Sequence, residues 1–281
     1  MSIKPQELIE DSLKLFSLPQ IYFMINEAVN HPQISFDDIA QIIRQDPGLS
    51  ARLLKIVNSG FYSFPDKIET ITHAVCIVGT NQLRDLALAT CILKTFEGIP
   101  AELIDMDSFW RHSVACGLAS HTIAVYRHEE NPERFIIAGM LHDIGKLILY
   151  TRLQDQAAKI LATCRSKKES SAHAEKTLLG FDHSELGGML LEAWNFPLSQ
   201  IEAVKYHHNP LESSEFSTDA AIIHIGDIIT HSLRVVTKRN YIPPLNPRAW
   251  DLIDLPASLL PSILSQVETQ FIGSIQFFLE N

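Results

Sequence analysis

Apolar residues recur at helical spacing along almost the whole chain. In SFDDIAQIIRQD, Ser35 stands before the apolar stripe and Asp38 follows three residues on, the signature of a capping box. Pro47 restarts the chain in DPGLSARLLKIVNSG. There Leu49, Leu53, Ile56 and Val57 form one stripe and Gly60 is placed to stop the helix. Thr80 is placed to cap TNQLRDLALATCILKTF, and EGIPAELIDMD, with Gly98 and Pro100, reads as a connector. Beyond it the spacing predicts a long helix from about Asp107 to Arg127, an apolar helix over Phe135 to Tyr150 and a charged amphipathic one from Asp155 to Lys168. Further helices are expected in DHSELGGMLLEAWN, in PLSQIEAVKYHH up to Asn209-Pro210, in AAIIHIGDIITHSL, and from about Leu259 to Leu279. The stretch from Lys238 to Pro247, with Pro243 and Pro244, is the longest irregular segment. The β-branched run Ile68 to Val78 is accounted for by helix packing. No alternating strand, repeat or low-complexity tract interrupts the pattern. The predicted class is all-α, with a helical subdomain over residues 1–97 and a second one, carrying a C-terminal helical extension, over residues 98–281.

Composition narrows the partners. The chain has 281 residues, 46% hydrophobic and 20% charged, which suits a globular protein with a sizeable core. A net charge of −10 without any long basic run argues against nucleic acid as the main partner. The opening MSIKPQELIEDSLKLF carries acids where a signal peptide is basic and then apolar. No charge-free apolar stretch reaches the roughly 18 residues of a membrane span. Cys76, Cys91, Cys116 and Cys164 show no paired spacing and are expected to be buried thiols of a reducing cytoplasm.

The chemistry centres on LHDIGKL. In a continuous helix, His142, Asp143 and Lys146 share an arc of about 100°, with Gly139 one turn earlier leaving room beside them. Unpaired charge in so apolar a helix is costly. Its partner is either a metal ion or a closed salt-bridge network. Similar settings hold His112 in FWRHSVACGLA and His183 after the N-cap candidate Asp182. In the YHH pair, His208 is expected to face the core and His207 to point about 100° away. Asp227 shares a face with His224 and His231. Imidazole and carboxylate donors suit Fe, Mn, Zn or Ni. Two ions about 3.5–4 Å apart can hold a hydroxide and neutralise a phosphate ester. Taken singly, each histidine is more readily a hydrogen-bonded core or surface residue than a ligand, and His121, His128, His173, His224 and His231 are read as structural or surface residues.

At these residues the chain resembles the HD superfamily, and within it the HDOD branch, the HD-related output domain. SLPQIYFMINEAV, IIRQDPGLSARLLKIVNSGFYSF and ITHAVCIVGTNQLRDLAL in the first half carry the resemblance. FWRHSVACG, AGMLHDIGKLIL, HSELGGMLLEAWNFP and IEAVKYHH carry it in the second, over roughly Leu18 to Pro210. The resemblance implies a helical bundle subdomain packed on a divergent HD-type helical subdomain, in a bacterial signalling or regulatory module. Many members of the branch have lost their metal ligands. Matching order with the related HD-GYP phosphodiesterases, which cleave cyclic di-GMP, implies the metal set His112, His142, Asp143, His183, His207, His208 and Asp227. It also implies one or two divalent ions, Fe or Mn first and Zn, Ni or Mg after them. The Gly-Tyr-Pro loop of those enzymes is missing, since the chain reads NPLESSEFSTD after His208.

Two functional readings follow. In the first, the chain is a cytoplasmic HDOD regulatory domain that engages a signalling protein partner or a phosphate-containing small ligand and admits a homo-oligomer, with no nucleic-acid or membrane partner. In the second, it is a metal-dependent phosphohydrolase acting on a phosphomonoester or a cyclic nucleotide. Asp143 and Lys146 are then its catalytic candidates, and Lys146 steadies the phosphate. In a third and purely structural reading, the same polar residues only tie helices together.

Overall fold

In the computed structural model, which describes residues 3–15, 18–59, 62, 64–96, 99–233, 236 and 242–279, regular structure among the described residues is helical throughout. The helices are α1 (Pro5–Leu15), α2 (Gln20–Val29), α3 (Phe36–Arg44), α4 (Pro47–Val57), α5 (Ile71–Val78), α6 (Thr80–Thr95), α7 (Met106–Tyr126) and α8 (Arg134–Leu141). They continue as α9 (Ile144–Arg152), α10 (Gln154–Lys167), α11 (Ser171–Leu179), α12 (His183–Ala193), α13 (Leu198–Lys205), α14 (Ser217–Ser232), α15 (Pro247–Ile253) and α16 (Leu260–Leu279).

The chain groups into two units, one of Ser17–Phe96 with Thr269–Asn281, the other of Met1–Phe16 with Glu97–Glu268. The linear division at residue 97 therefore exchanges the two ends of the chain. Helix α1, counted with the N-terminal half by sequence order, buries Leu8 and Ile9 in the larger unit, against α9 and α12. Arg152 on α9 pairs with Asp11 on α1 at 2.7 Å.

The smaller unit is organised by caps and stripes. Ser35 Oγ accepts the Asp38 amide at 3.2 Å and Asp38 Oδ2 accepts the Ser35 amide at 3.0 Å, so the capping box forms. Asp46 caps α4 through the Leu49 amide at 2.9 Å, and Leu49, Leu53, Ile56 and Val57 are fully buried. Each such side chain contributes about 1.5–3 kcal/mol. The exposed Arg44–Asp37 pair at 3.2 Å is screened by solvent and adds little. Apolar burial rather than ion pairing therefore holds this unit together. Asn58 fastens the following loop. Its Nδ2 donates to the carbonyls of Leu54 (2.7 Å) and Ile68 (2.8 Å), and its Oδ1 accepts the Ile68 amide (2.8 Å). Thr80 opens α6 rather than capping it, because Gly79 occupies the N-cap at φ +95°.

In the larger unit α7 is buried on nearly every side and packs against α8 and α14. Gly139 sits where these helices nearly touch. A Cβ there would lie 2.7 Å from Gly117 Cα, so its bareness serves the α7–α8 contact rather than space beside the His-Asp pair. The single helix expected over Phe135 to Tyr150 is two helices, α8 and α9, with His142 and Asp143 at the break. His142 keeps helical angles, but Asp143, at φ −99° and ψ 5°, occupies the N-cap of α9. Two expectations for the cysteines need correction. Cys91 and Cys116 are buried, but Cys76 is exposed and Cys164 is half-buried. None of the four is in a disulfide. Gly60, Gly98 and Lys238 lie outside the described residues; from Ile242 to Asn246 the chain is irregular, and Pro247 begins α15.

Candidate metal centre

Three imidazoles in the larger unit are pinned in the same way. His142 Nδ1–H donates to the Gly139 carbonyl at 2.7 Å, His207 Nδ1–H to the Val204 carbonyl at 2.7 Å, and His183 Nδ1–H to Glu175 Oε2 at 2.6 Å. An Nδ1–H bond to an oxygen leaves Nε2 with its lone pair, the form in which imidazole binds a metal. All three rings are buried, and the Nε2 atoms of His142 and His207 have no hydrogen-bond partner.

Two of these nitrogens, those of His183 and His142, face carboxylates. His183 Nε2 lies 3.1 Å from Asp143 Oδ1. His142 Nε2 lies 3.5 Å from Asp143 Oδ2 and 3.6 Å from Asp227 Oδ1. His112, from α7, brings its Nε2 to 3.0 Å from Asp227 Oδ1 and 3.9 Å from Asp143 Oδ2. His208 Nε2 is 2.9 Å from His183 Nε2, and the His207 and His208 rings are 3.9 Å apart. Three donor groups result, two of them sharing His112: His112, His142 and Asp143; His183, His207 and His208; and His112, Asp227 and His231. Lone pairs turned towards carboxylate oxygens repel unless a proton or a cation lies between them. The donor set therefore fits a divalent cation.

Without a cation, protons on some of these rings meet part of that repulsion. Burial opposes charge on His142 and His183, yet Asp143 beside the first and Glu175 beside the second raise them, His142 well above its ordinary value and His183 to about 9. Burial and the neighbouring imidazoles push His207 down to about 3 and His208 well below its usual range. Burial also lowers His231, to about 4. Asp143 and Asp227 are held well below the carboxylate range against their burial, Asp143 by His142 and Lys146, Asp227 by His112 and His142. Lys146 Nζ meets Asp143 Oδ2 at 2.6 Å.

Local structure explains the convergence. Helix α9 approaches α12 so closely that a Cβ on Gly145 would collide with the His183 carbonyl and lie 2.8 Å from the Gly187 amide nitrogen. Asp182 caps α12 through the Glu185 amide at 3.0 Å and so sets where His183 begins. Helix α13 ends at Lys205, so the helical phase does not carry on to the histidine pair. His207 is therefore the fully buried member and His208 the partly exposed one, the reverse of the expectation.

All seven predicted ligand positions and Lys146 thus lie in one cluster. Sequence reasoning missed Glu175, which is fully buried and binds His183, although it falls on the same helical face as the buried Ala172. It also missed Cys116, whose thiol lies against His142 and is pushed up by burial. His231, read as structural, lies 3.4 Å from Asp227. His224 is structural: its Nδ1–H donates to the His207 carbonyl at 2.8 Å and its Nε2 accepts the Asn246 amide at 3.1 Å.

An all-helical chain with a buried His-Asp break and imidazoles converging on two carboxylates has the architecture of an HD-superfamily protein. The family model for the HDOD domain matches residues 15–210, and the chain belongs to that family. An uncharacterized protein of Treponema pallidum (strain Nichols) is 25% identical over 233 residues, 80% of this chain and 44% of that protein. The chain thus spans less than half the length of this curated relative. Among solved structures, an HDOD domain protein of unknown function from Geobacter sulfurreducens superposes with a TM-score of 0.79 at 22% identity, over 98% of each chain. A candidate phosphohydrolase from Shewanella amazonensis SB2B gives 0.77 at 22% identity, over 96% of this chain and 97% of that one. A candidate signal transduction protein from Marinobacter aquaeolei VT8 gives 0.76 at 18% identity, over 96% of this chain and 61% of that one. At these identities the likeness is one of fold.

Proposed function

We propose that the protein is an HDOD regulatory domain of the bacterial cytoplasm that keeps a working His/Asp metal site. The ligands are His112, His142, Asp143, His183, His207, His208 and Asp227, and the occupant is one or two divalent ions, Fe or Mn before Zn, Ni or Mg. The observation that carries this reading is the set of three Nδ1-pinned imidazoles whose Nε2 atoms point into a cluster with two carboxylates. The family supplies the regulatory part, with a signalling protein or a phosphate-containing small ligand as the partner. No described helix is long and apolar enough to cross a membrane. The segment after His208 supports regulation over turnover of a cyclic dinucleotide. It lacks the Gly-Tyr-Pro sequence and makes a tight turn, with Ser213 Oγ donating to Glu202 at 2.5 Å and accepting the Phe216 amide at 3.0 Å. Metal analysis of protein purified without chelator tests the proposal. At least one equivalent of Fe or Mn is expected, and failure to take up any divalent ion after supplementation overturns it.

A second reading, metal-dependent phosphohydrolase, is favoured by Lys146. Its ammonium sits on Asp143 at the edge of the cluster with 19% of the side chain exposed, where an entering phosphate would meet it. Divalent ions held here supply charge neutralisation for a phosphate ester and acidify water. Asp143 then orients the cluster and Lys146 binds a phosphoryl oxygen. Turnover of an aryl phosphate or a cyclic nucleotide by Mn-loaded protein, abolished by Asp143→Ala without unfolding, establishes this reading. No turnover across such a panel removes it.

A further inference from the structure

We infer that His231 is a metal ligand and that, with His112 and Asp227, it forms an ion position of its own on one side of the cluster. The inference rests on the metal reading above and adds a residue that the resemblance does not include.

Asp227 and His231 lie one turn apart on α14, and His112 comes to them from α7. His231 Nε2 is 3.4 Å and His112 Nε2 is 3.0 Å from the same oxygen, Asp227 Oδ1. The two rings are 4.7 Å apart, tilted by 52°. One donor atom from each of the three residues lies within 4.8 Å of the others. Asp227 Oδ1 is buried and has no aligned hydrogen bond, although imidazole nitrogens surround it. A buried carboxylate oxygen in that state calls for a partner such as a cation.

His224, on the same helix, is the control within the molecule. Both of its ring nitrogens are used, one on the His207 carbonyl and one on the Asn246 amide, so it is a structural histidine. His231 makes no such pair of bonds and turns Nε2 towards the carboxylate. Two imidazoles and one carboxylate, with positions left open, form a recognised set for Fe(II) and related ions. The His183, His207 and His208 donors form a separate group. Asp143 faces both groups, with Oδ1 towards His183 and Oδ2 towards His142 and His112. The cluster thus has donors for two ions, and His231 belongs to one of them.

Titration of the full-length, metal-stripped chain with Mn(II) and Co(II) tests this. Wild-type protein is expected to bind two ions. His231→Gln, checked to melt like metal-free wild type, is expected to lose one of them or to bind it at least about tenfold more weakly. His231→Cys is expected to restore that ion and to show a thiolate-to-cobalt absorption band that neither wild type nor His231→Gln has; a merely structural histidine would not produce this band. Wild-type stoichiometry and affinity in His231→Gln overturn the inference and leave the metal site standing. So does the absence of the band in cobalt-loaded His231→Cys, which also decides the matter if His231→Gln does not fold. A wild-type chain that takes up no ion overturns both the inference and the metal reading.

Discussion

Glu175 and His183 meet twice: the His183 amide at 2.8 Å and its Nδ1–H at 2.6 Å both donate to Glu175 Oε2. Glu175 thereby sets the start of α12 and fixes the tautomer that turns the His183 Nε2 lone pair towards Asp143. Removing such a supporting carboxylate typically costs 10–100-fold in metal affinity. Glu175→Gln is expected to fold and to bind Mn(II) about 10–100-fold more weakly, measured by chelator competition. In the metal-free protein, His183 in this variant is expected to titrate below its present value of about 9, followed by NMR of the ring. Unchanged affinity together with an unchanged titration would show that Glu175 does not support His183.

The metal-free protein is expected to be most stable near neutral pH. His207, His208, His231, His224 and His121 have folded values below 6.5, with His231 near 4 and His207 near 3. As pH falls from about 6.5 towards those values, the unfolded chain takes up protons that the folded chain refuses, so stability drops. Each such group costs about 1.4 kcal/mol per pH unit. His183 and His142 have raised values, so their stabilisation is complete below about 6.5 and is lost as pH rises, for His183 through about 9. Asp143 and Asp227, with lowered values, stabilise the fold above about 3.8 and lose that contribution only below it. Melting temperatures of chelated protein from pH 4.5 to 9.5 should fall on both sides of neutrality; a flat profile contradicts the assignment.

Metal should stabilise the fold at neutral pH. A ligand that binds only the folded chain adds about 2.7 kcal/mol at a concentration 100 times its Kd. Chelation of Mn-loaded protein is therefore expected to lower the melting temperature, and re-addition to restore it. Identical melts with and without chelator would support the purely structural reading of the cluster.

Gly145→Ala tests the approach of α9 to α12. The added methyl would strike the His183 carbonyl, so the helices must part and carry His183 away from Asp143. Overpacking of this kind costs about 1–3 kcal/mol. Chemical denaturation should show that loss, together with weakened metal uptake.

Asn58→Ala probes the other unit. It removes three hydrogen bonds and leaves the Ile68 amide and carbonyl without these partners. A loss of about 1–3 kcal/mol in unfolding free energy is expected. Metal stoichiometry should be unaffected, because none of the cluster residues lies in that unit.

Helical periodicity made the all-α class readable, and the caps at Ser35 and Asp182 were legible because capping is a short-range interaction within a few residues. Which residues gather in the His/Asp cluster was also readable, though only through ordered kinship of motifs; periodicity alone left each histidine open between a metal and a hydrogen bond. Tertiary structure decided the rest. Whether His142 and Asp143 continue a helix or break it depends on α7 and α12 packing around them. Which of His207 and His208 is buried depends on where α13 stops, and helical phase loses its meaning past that point. The roles of Glu175 and His231, like the exchange of the chain ends between units, come from contacts between residues distant in sequence. A single helix's pattern reports which face is apolar; it does not report what that face meets.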